Sequence, residues 1–234
     1  MLINEIHTEF KVGVDKTDSL NYPDLGPEEI DVFLNKAIEK FISQRAYGTN
    51  PKREGLEQTQ KRFDDLLTLI SSANITTFGT GPLVKPNGVT AGLPLDYLHA
   101  IEEEVDVTFL DCNGVSTTQR SPVYSVTHDQ YNKIIRDPFN KPDENGVIRM
   151  GLSGSMELIS APGVTINTYF LRYIRVAAKV QYGSTYPVLA ADVQCDLPDH
   201  THKEIIEMAV LDALGNIEAL RRIQTASQQL NTIE

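Results

Sequence analysis

"EVDVTFLDCNGVSTT", residues 104–118, decides the fold class of this chain. β-branched and aromatic residues are broken there by Asn and Gly, the texture of strands and turns. Asn113-Gly114 readily takes positive φ, so residues 111–114 are expected to turn one strand back on the next as a hairpin corner. The same texture runs from residue 75 to residue 198. "NITTFGTGPLV" (residues 74–84) reads as strand and turn, and "VIRMGLSGSMELIS" (residues 147–160) as a second hairpin turning on Ser153-Gly154. "GVTINTYFLRYIRVAAKV" (residues 163–180) reads as a long strand. "LPLDYLHAIEEE" (residues 93–104) is expected to be a short helix delivering the chain into the strand from Val105 to Leu110.

The flanks are helical. In "GPEEIDVFLNKAIEKFISQRAYG" (residues 26–48), Gly26 is a break and Pro27 suits the first helical position. Glu28 and Glu29 face the positive helix end. Ile30, Phe33, Leu34, Ala37, Ile38, Phe41 and Ile42 then mark one apolar stripe. A second helix is expected from about residue 54 to 72, with Leu56, Phe63, Leu66, Leu67 and Ile70 inward. The short link between the two favours an antiparallel helical hairpin over residues 27–74. The last helix, residues 199–230, has Asp199 or Thr201 as N-cap, and Thr201 with Glu204 fits a capping box. Its apolar residues Ile205, Met208, Leu211, Leu214, Ile217, Leu220 and Ile223 recur every three positions, so the stripe drifts round the helix towards more than one neighbour. The expected architecture is α+β: an N-terminal helical hairpin and a long C-terminal helix packed with an antiparallel β-rich middle (residues 75–198), in a single compact unit of residues 1–234.

Composition narrows the function. The 32 acidic against 21 basic residues give a net charge of −11, which opposes a sequence-independent grip on nucleic acid. Arg172, Arg175 and Lys179 are the candidates for a small basic patch. No apolar run approaches the roughly 20 residues that span a bilayer, and "MLINEIHTEF" lacks the apolar core of a secretory signal, so no membrane is expected and the chain is expected to stay in the cytoplasm of the cell that makes it. Cys112 and Cys195 stand 83 residues apart without zinc-ligand spacing and are expected to be buried free thiols.

Each chemical candidate fails on local geometry. "GTGPLVKPNG" (residues 79–88) begins as a phosphate loop, but Pro82 prevents a smooth helix start. "GLSGS" (residues 151–155) resembles a nucleophile elbow around Ser153, yet Ser155 replaces the final glycine and strand follows strand. His200 and His202, with Asp199 and Glu204, diverge at a helix start and so cannot share a metal. His7 and His99 have no partners nearby in sequence. In "HDQYNKIIRDPFNKPDENG" (residues 128–146), a calcium-loop register puts Lys141 and Leu152 where the first and last acids belong. Its residues have structural roles instead: Asp129 caps a short helix with Tyr131, Ile134 and Ile135 on one side, and Pro138 stops it. Pro142 and residues 143–146 make turns into the next strand. His128 with Asp129 lacks an adjacent nucleophile. Catalytic, metal and cofactor residues are therefore expected to be none.

"VTHDQYNKIIRDPFNKPDENGVIRM", with residues 3–48 and "LPDHTHKEIIEMAVLDALGNIEALRR", resembles a virion protein family of crAss-like bacteriophages of gut Bacteroidales, over nearly the full chain. The resemblance implies a tail ring or head–tail adaptor with a helical bundle, a β-rich portion and a C-terminal helix that meets the portal. It implies a homo-oligomeric ring of about twelve copies, assembled head-to-tail through two different faces. Portal protein and other tail ring proteins would be its partners, with DNA only as passing cargo, and no catalytic residues carry over. Interface residues are expected at the polar C-terminal end: Arg221, Arg222, Gln228, Gln229 and Glu234. Two other classes stand beside this reading, a cargo- or receptor-binding virion protein and a hydrolase using Ser153 or His128.

Overall fold

The computed structural model describes residues 1–15, 25–47, 60–80, 84–183 and 191–216. Contacts divide the chain into two units, Met1–Leu69 with Ala177–Glu234, and Ile70–Val176.

The first unit is helical. Its helices are α1 (Ile3–Asp15), α2 (Pro27–Tyr47), α3 (Gln60–Leu66) and α5 (His202–Asn216), the last entered through a 3-10 turn at Asp199–Thr201. α2 starts at Pro27 as its sequence predicts. The Gly26 carbonyl accepts from the Glu29 and Ile30 amides, and the Gly26 amide donates to the Glu29 carboxylate at 3.0 Å. Ile30, Leu34, Ala37, Ile38, Phe41 and Ile42 are buried, and Phe33 is half-buried beside Phe10 of α1. α5 buries Ile205, Ile206, Met208, Ala209, Val210, Ala213 and Leu214, a set that wraps the helix and meets both α1 and α2. Gly13 allows the closest of these approaches, because a Cβ there would stand 2.9 Å from Val210.

Three helix expectations need correction. α1, with Ile3, Ile6, Phe10 and Val14 buried along it, was not anticipated. The second helix ends at Leu66, tightens into a 3-10 turn over Leu67–Leu69 and becomes strand at Ile70. "ISSANI" favours that exit because serines and β-branched residues are poor helix formers. Leu67, expected inward, is 53% exposed. At α5 no capping box forms: the Thr201 hydroxyl donates back to the Pro198 carbonyl, and Glu204 is drawn to Arg45. The expected helix over residues 217–230 lies outside the described residues.

The second unit is one curled eight-stranded sheet: β1 (Ile70–Ile75), β2 (Phe78–Gly79), β3 (Gly88–Gly92), β4 (Tyr97–Leu110), β5 (Ser116–Ser125), β6 (Val147–Leu152), β7 (Ser155–Ile159) and β8 (Thr165–Arg175). The β-rich portion thus begins at Ile70, earlier than residue 75, and it ends with Val176. The strand order is β1-β8-β4-β5-β6-β7-β3-β2. Its two ends, β1 and β2, are separated only by Thr76 and Thr77, a span of about 10 Å at full extension. The sheet therefore curls back on itself, and β1–β2 acts as one bent strand at the seam. β5 makes the opposite corner. Up to Pro122 it pairs with β4, and from Val123 it pairs with β6. Proline, which cannot donate to a ladder, stands where the pairing partner changes.

One cluster fills the interior of this curl. Ala91, Val105, Val107, Val147, Leu158, Ile166, Tyr169, Leu171 and Tyr173 are buried together, with Ala73, Ile75, Phe78 and Val123 packed against them. All eight strands contribute to it. Both predicted hairpins form, at residues 111–114 with Gly114 at φ 76° and at Ser153-Gly154 with Gly154 at φ 69°. The predicted short helix over residues 93–104 does not. Those residues belong to the 14-residue β4, whose register against β8 slips at three places. Such bulges break the period-two pattern by which a strand is read, so the segment did not look like one. All pairings are antiparallel except β5 with β6. A parallel neighbour needs a long crossover, and residues 126–146 supply it.

Candidate functional site

That crossover is the stretch rich in chemical side chains. It carries the four-residue helix α4 (Tyr131–Ile134) and lies over the outer face of β6 and β7. Side chains alternate across β6, so Val147 faces the interior while Ile148 and Met150 face outward under Tyr131, Ile134 and Val126. α4 follows Gln130, whose side chain makes no capping bond, and ends at Ile135, before Pro138. Asp129 is therefore not the cap. Its carboxyl is held below the usual range mainly by the Thr127 hydroxyl.

Two acids of the crossover are committed to turns. Asp137 accepts from the Phe139 amide at 3.0 Å and the Asn140 side chain at 2.6 Å, and these bonds lower its pKa. Asp143 accepts from the Asn145 amide at 2.8 Å, while its own amide donates to the Gly146 carbonyl. This leaves Asp143 and Asn145 as turn formers. Gly146 lets the Tyr124 ring lie against the chain, since a Cβ there would stand 2.7 Å from the ring. Between these turns, α4 and the end of β5 lies a cleft of about 710 Å³.

The catalytic and metal candidates are not brought together. His128 bonds the Gly151 carbonyl through Nε2 at 2.9 Å, so it ties the crossover to β6. Ser153 sits exposed in a strand–turn–strand hairpin, without the helix that a nucleophile elbow requires. His200 reaches Asp65 at 2.9 Å, while His202 bonds the Leu197 carbonyl at 2.9 Å, so the two rings diverge as expected. Burial lowers the His202 pKa. Among the described residues no group of three or more His, Cys, Asp or Glu could hold a metal ion. Cys112 is exposed on the β4–β5 turn, a correction to the expectation of two buried thiols; Cys195 is half-buried, and burial raises its pKa. Arg172 adds little to a basic patch because Glu102 pairs with it at 2.8 Å.

Three buried polar clusters join residues far apart in the sequence. Arg45, on α2, donates to Asp65 at 2.9 Å and to both oxygens of Glu204 at 2.6 and 2.8 Å. His7 meets Asp31 at 2.8 Å, and Asp31 also accepts from the Tyr182 amide. Inside the curled sheet, Glu103 accepts from Arg149 and from the Tyr169 hydroxyl. Burial, then the Glu103 charge, raises the Tyr169 pKa. Each cluster sits among packed side chains, and its partners are 20 to 159 residues apart. They stabilise architecture. A charged residue on the apolar side of a helix, as Arg45 is beside Phe41 and Ile42, was the available signal.

The expected interface residues Arg221, Arg222, Gln228, Gln229 and Glu234 lie outside the described residues. No helix among the described residues is long and apolar enough to cross a membrane. A comparison with curated proteins gives no match. A family model described as phage tail ring protein 3/4 matches residues 1–222. The chain belongs to that phage tail ring family, a structural component of the virion tail.

Proposed function

As a member of the tail ring family, this chain, we propose, forms a homo-oligomeric ring in the portal–tail assembly of a short-tailed crAss-like phage. The family match over residues 1–222 carries this reading. About twelve copies, each a single subunit of residues 1–234, close head-to-tail and stack between the portal protein and other tail rings. DNA passes as cargo. The subunit has no enzymatic activity, requires no cofactor and is assembled into particles in the host cytoplasm. The dispersal of every candidate nucleophile, base and metal ligand into turns and packing bonds supports a structural role. The net charge of −11 suits a surface past which DNA slides without sticking.

Quantitative mass spectrometry of purified virions tests this. A copy number equal to the portal protein's, or a small whole multiple of it, is expected. Absence of the chain from the particle overturns the ring reading.

A further inference from the structure

The two corners of the curled sheet leave bare strand edges. We infer that the outer edge of β5 in one copy pairs with the outer edge of β1 in the next, so that the sheet runs on from subunit to subunit. The inference rests on the ring reading above and names the surface through which copies meet.

The edges follow from the way the corner strands change partners. β1, β8, β4 and β5 lie side by side in that order, with β1 and β5 outermost. β5 pairs with β4 from Ser116 to Pro122 and with β6 only from Val123, so its first part has no strand on the other side. β1 pairs with β8 alone. Ladder bonds alternate sides along an antiparallel strand. The Asp111 amide donates to the Val115 carbonyl at 2.9 Å, so Thr117, Gln119 and Ser121 bond β4. The amides and carbonyls of Ser116, Thr118 and Arg120 therefore point away from it. The same alternation, carried through β4 and β8, turns those of Ser72 and Asn74 away from β8. Ser72, Asn74, Ser116 and Thr118 are exposed, and nothing among the described residues bonds these outward backbone groups. The turn at residues 143–146 lies beside the far end of the β5 edge, tied there by the Gln119 and Ser121 side chains, and leaves Ser116 and Thr118 clear.

Neither edge is guarded. Proteins blunt an edge that must stay unpaired with charge, proline or a bulge. β1, "ISSANI", has no charge and no proline, and its register against β8 is unbroken. In β5 the one charge, Arg120, is turned back across the sheet, 3.9 Å over the Phe170 ring and 3.1 Å from Asp106. Arg172, opposite Ser72 on β8, likewise faces Glu102 of β4 at 2.8 Å. At the hairpin tip next to the β5 edge, Leu110 and Val115 are 69% and 59% exposed, apolar area that a neighbour would cover. A bare edge is satisfied by another strand. Within one subunit β8 and β4 stand between the two edges, so they cannot satisfy each other. Between copies they can, and opposite edges of one sheet supply the two unlike, matching faces that a head-to-tail ring requires. Pairing of like edges would instead close a two-fold dimer.

The test links thiols across the seam. Two full-length chains, Ser72→Cys and Thr118→Cys, each also carrying Cys112→Ser to remove the exposed native thiol, are incorporated together into tail particles. A short bismaleimide is expected to join a Ser72→Cys chain to a Thr118→Cys chain, and particles holding either variant alone are expected to give no covalent pair. In parallel, Thr118→Pro removes one outward amide from an edge position, where proline is tolerated. Supplied at equal level with the parent chain, it is expected to enter particles about tenfold less, with its circular dichroism unchanged. Links between like positions, links only to another tail protein, or no links at all, in particles that hold the chain at ring copy number, overturn the edge pairing and leave the ring standing. Equal entry of Thr118→Pro and parent overturns it as well. Absence of the chain from particles removes the ring reading and the edge pairing with it.

Discussion

Replacing Arg45 by methionine is the sharpest test of what holds the helical unit together. The guanidinium is 2% exposed, with Asp65 at 1% and Glu204 at 8%, so all three charges have left bulk water. Methionine keeps most of the volume and the apolar contact with Phe41, so cavity formation contributes little. What remains is two buried carboxylates without their shared cation, with His200 still against Asp65 at 2.9 Å. Removing one partner of a buried ion pair costs about 3–5 kcal/mol, and the loss of the cation–π contact with Phe41, 4.7 Å away, adds about 1 kcal/mol. We expect a loss of about 4 kcal/mol, a large share of the roughly 5–15 kcal/mol that stabilises a typical protein. With a urea slope near 3 kcal/mol per molar, the midpoint of the helical signal moves down by somewhat over 1 M. Urea titrations followed by far-ultraviolet circular dichroism read this directly. Removing all the charges together, with Arg45→Met, Asp65→Leu and Glu204→Leu, is expected to recover most of the loss, because the desolvation penalty leaves with the ions. A single-variant loss below about 1 kcal/mol, the value of an exposed pair, would refute the picture of a dry, connected network.

Two further outcomes follow from single positions. Gly146→Ala places a Cβ 2.7 Å from the half-exposed Tyr124 ring, which must swing away at a cost of about 1 kcal/mol; a melting temperature 2–4 °C lower is expected, and an unchanged one would show that the ring does not rest there. His202 has a pKa lowered by burial, so the unfolded chain takes up the proton first as pH falls. Its contribution is intact above the usual histidine value of about 6.5 and declines as pH falls below it. Denaturation of the parent and of His202→Gln at pH 7.5 and 5.5 checks this, and equal acid losses in both would overturn it.

Local chemistry made much of the fold legible. Pro27 and the acidic first turn located α2, and Asn113-Gly114 and Ser153-Gly154 located two hairpins, because these features act over four or five residues. The reading failed where neighbours in space override local preference. β4 was hidden by bulges that exist only against β8. Glu204 looked like a capping residue until Arg45, 159 positions away, took its carboxylate. α1 is the exception: Ile3, Ile6, Phe10 and Val14 carry a helical period within the local sequence itself. For the site, the sequence was right that residues 143–146 turn the chain into the next strand. It did not show that the crossover leaves Phe139 exposed, since exposure is a property of the folded surface.

By itself, the sequence determined the α+β class, the order of helical and strand-rich segments, the acidic charge and the family, since each depends on composition, short-range pattern or extended similarity. Tertiary structure alone decided that the sheet curls until β1 and β2 meet at a two-residue seam, that β5 and β6 run parallel, and that Arg45, Asp65 and Glu204 share one buried cluster. Those features arise from contacts between residues far apart along the chain. No local periodicity encodes them, because the energy that selects them comes from burying the assembled surfaces together.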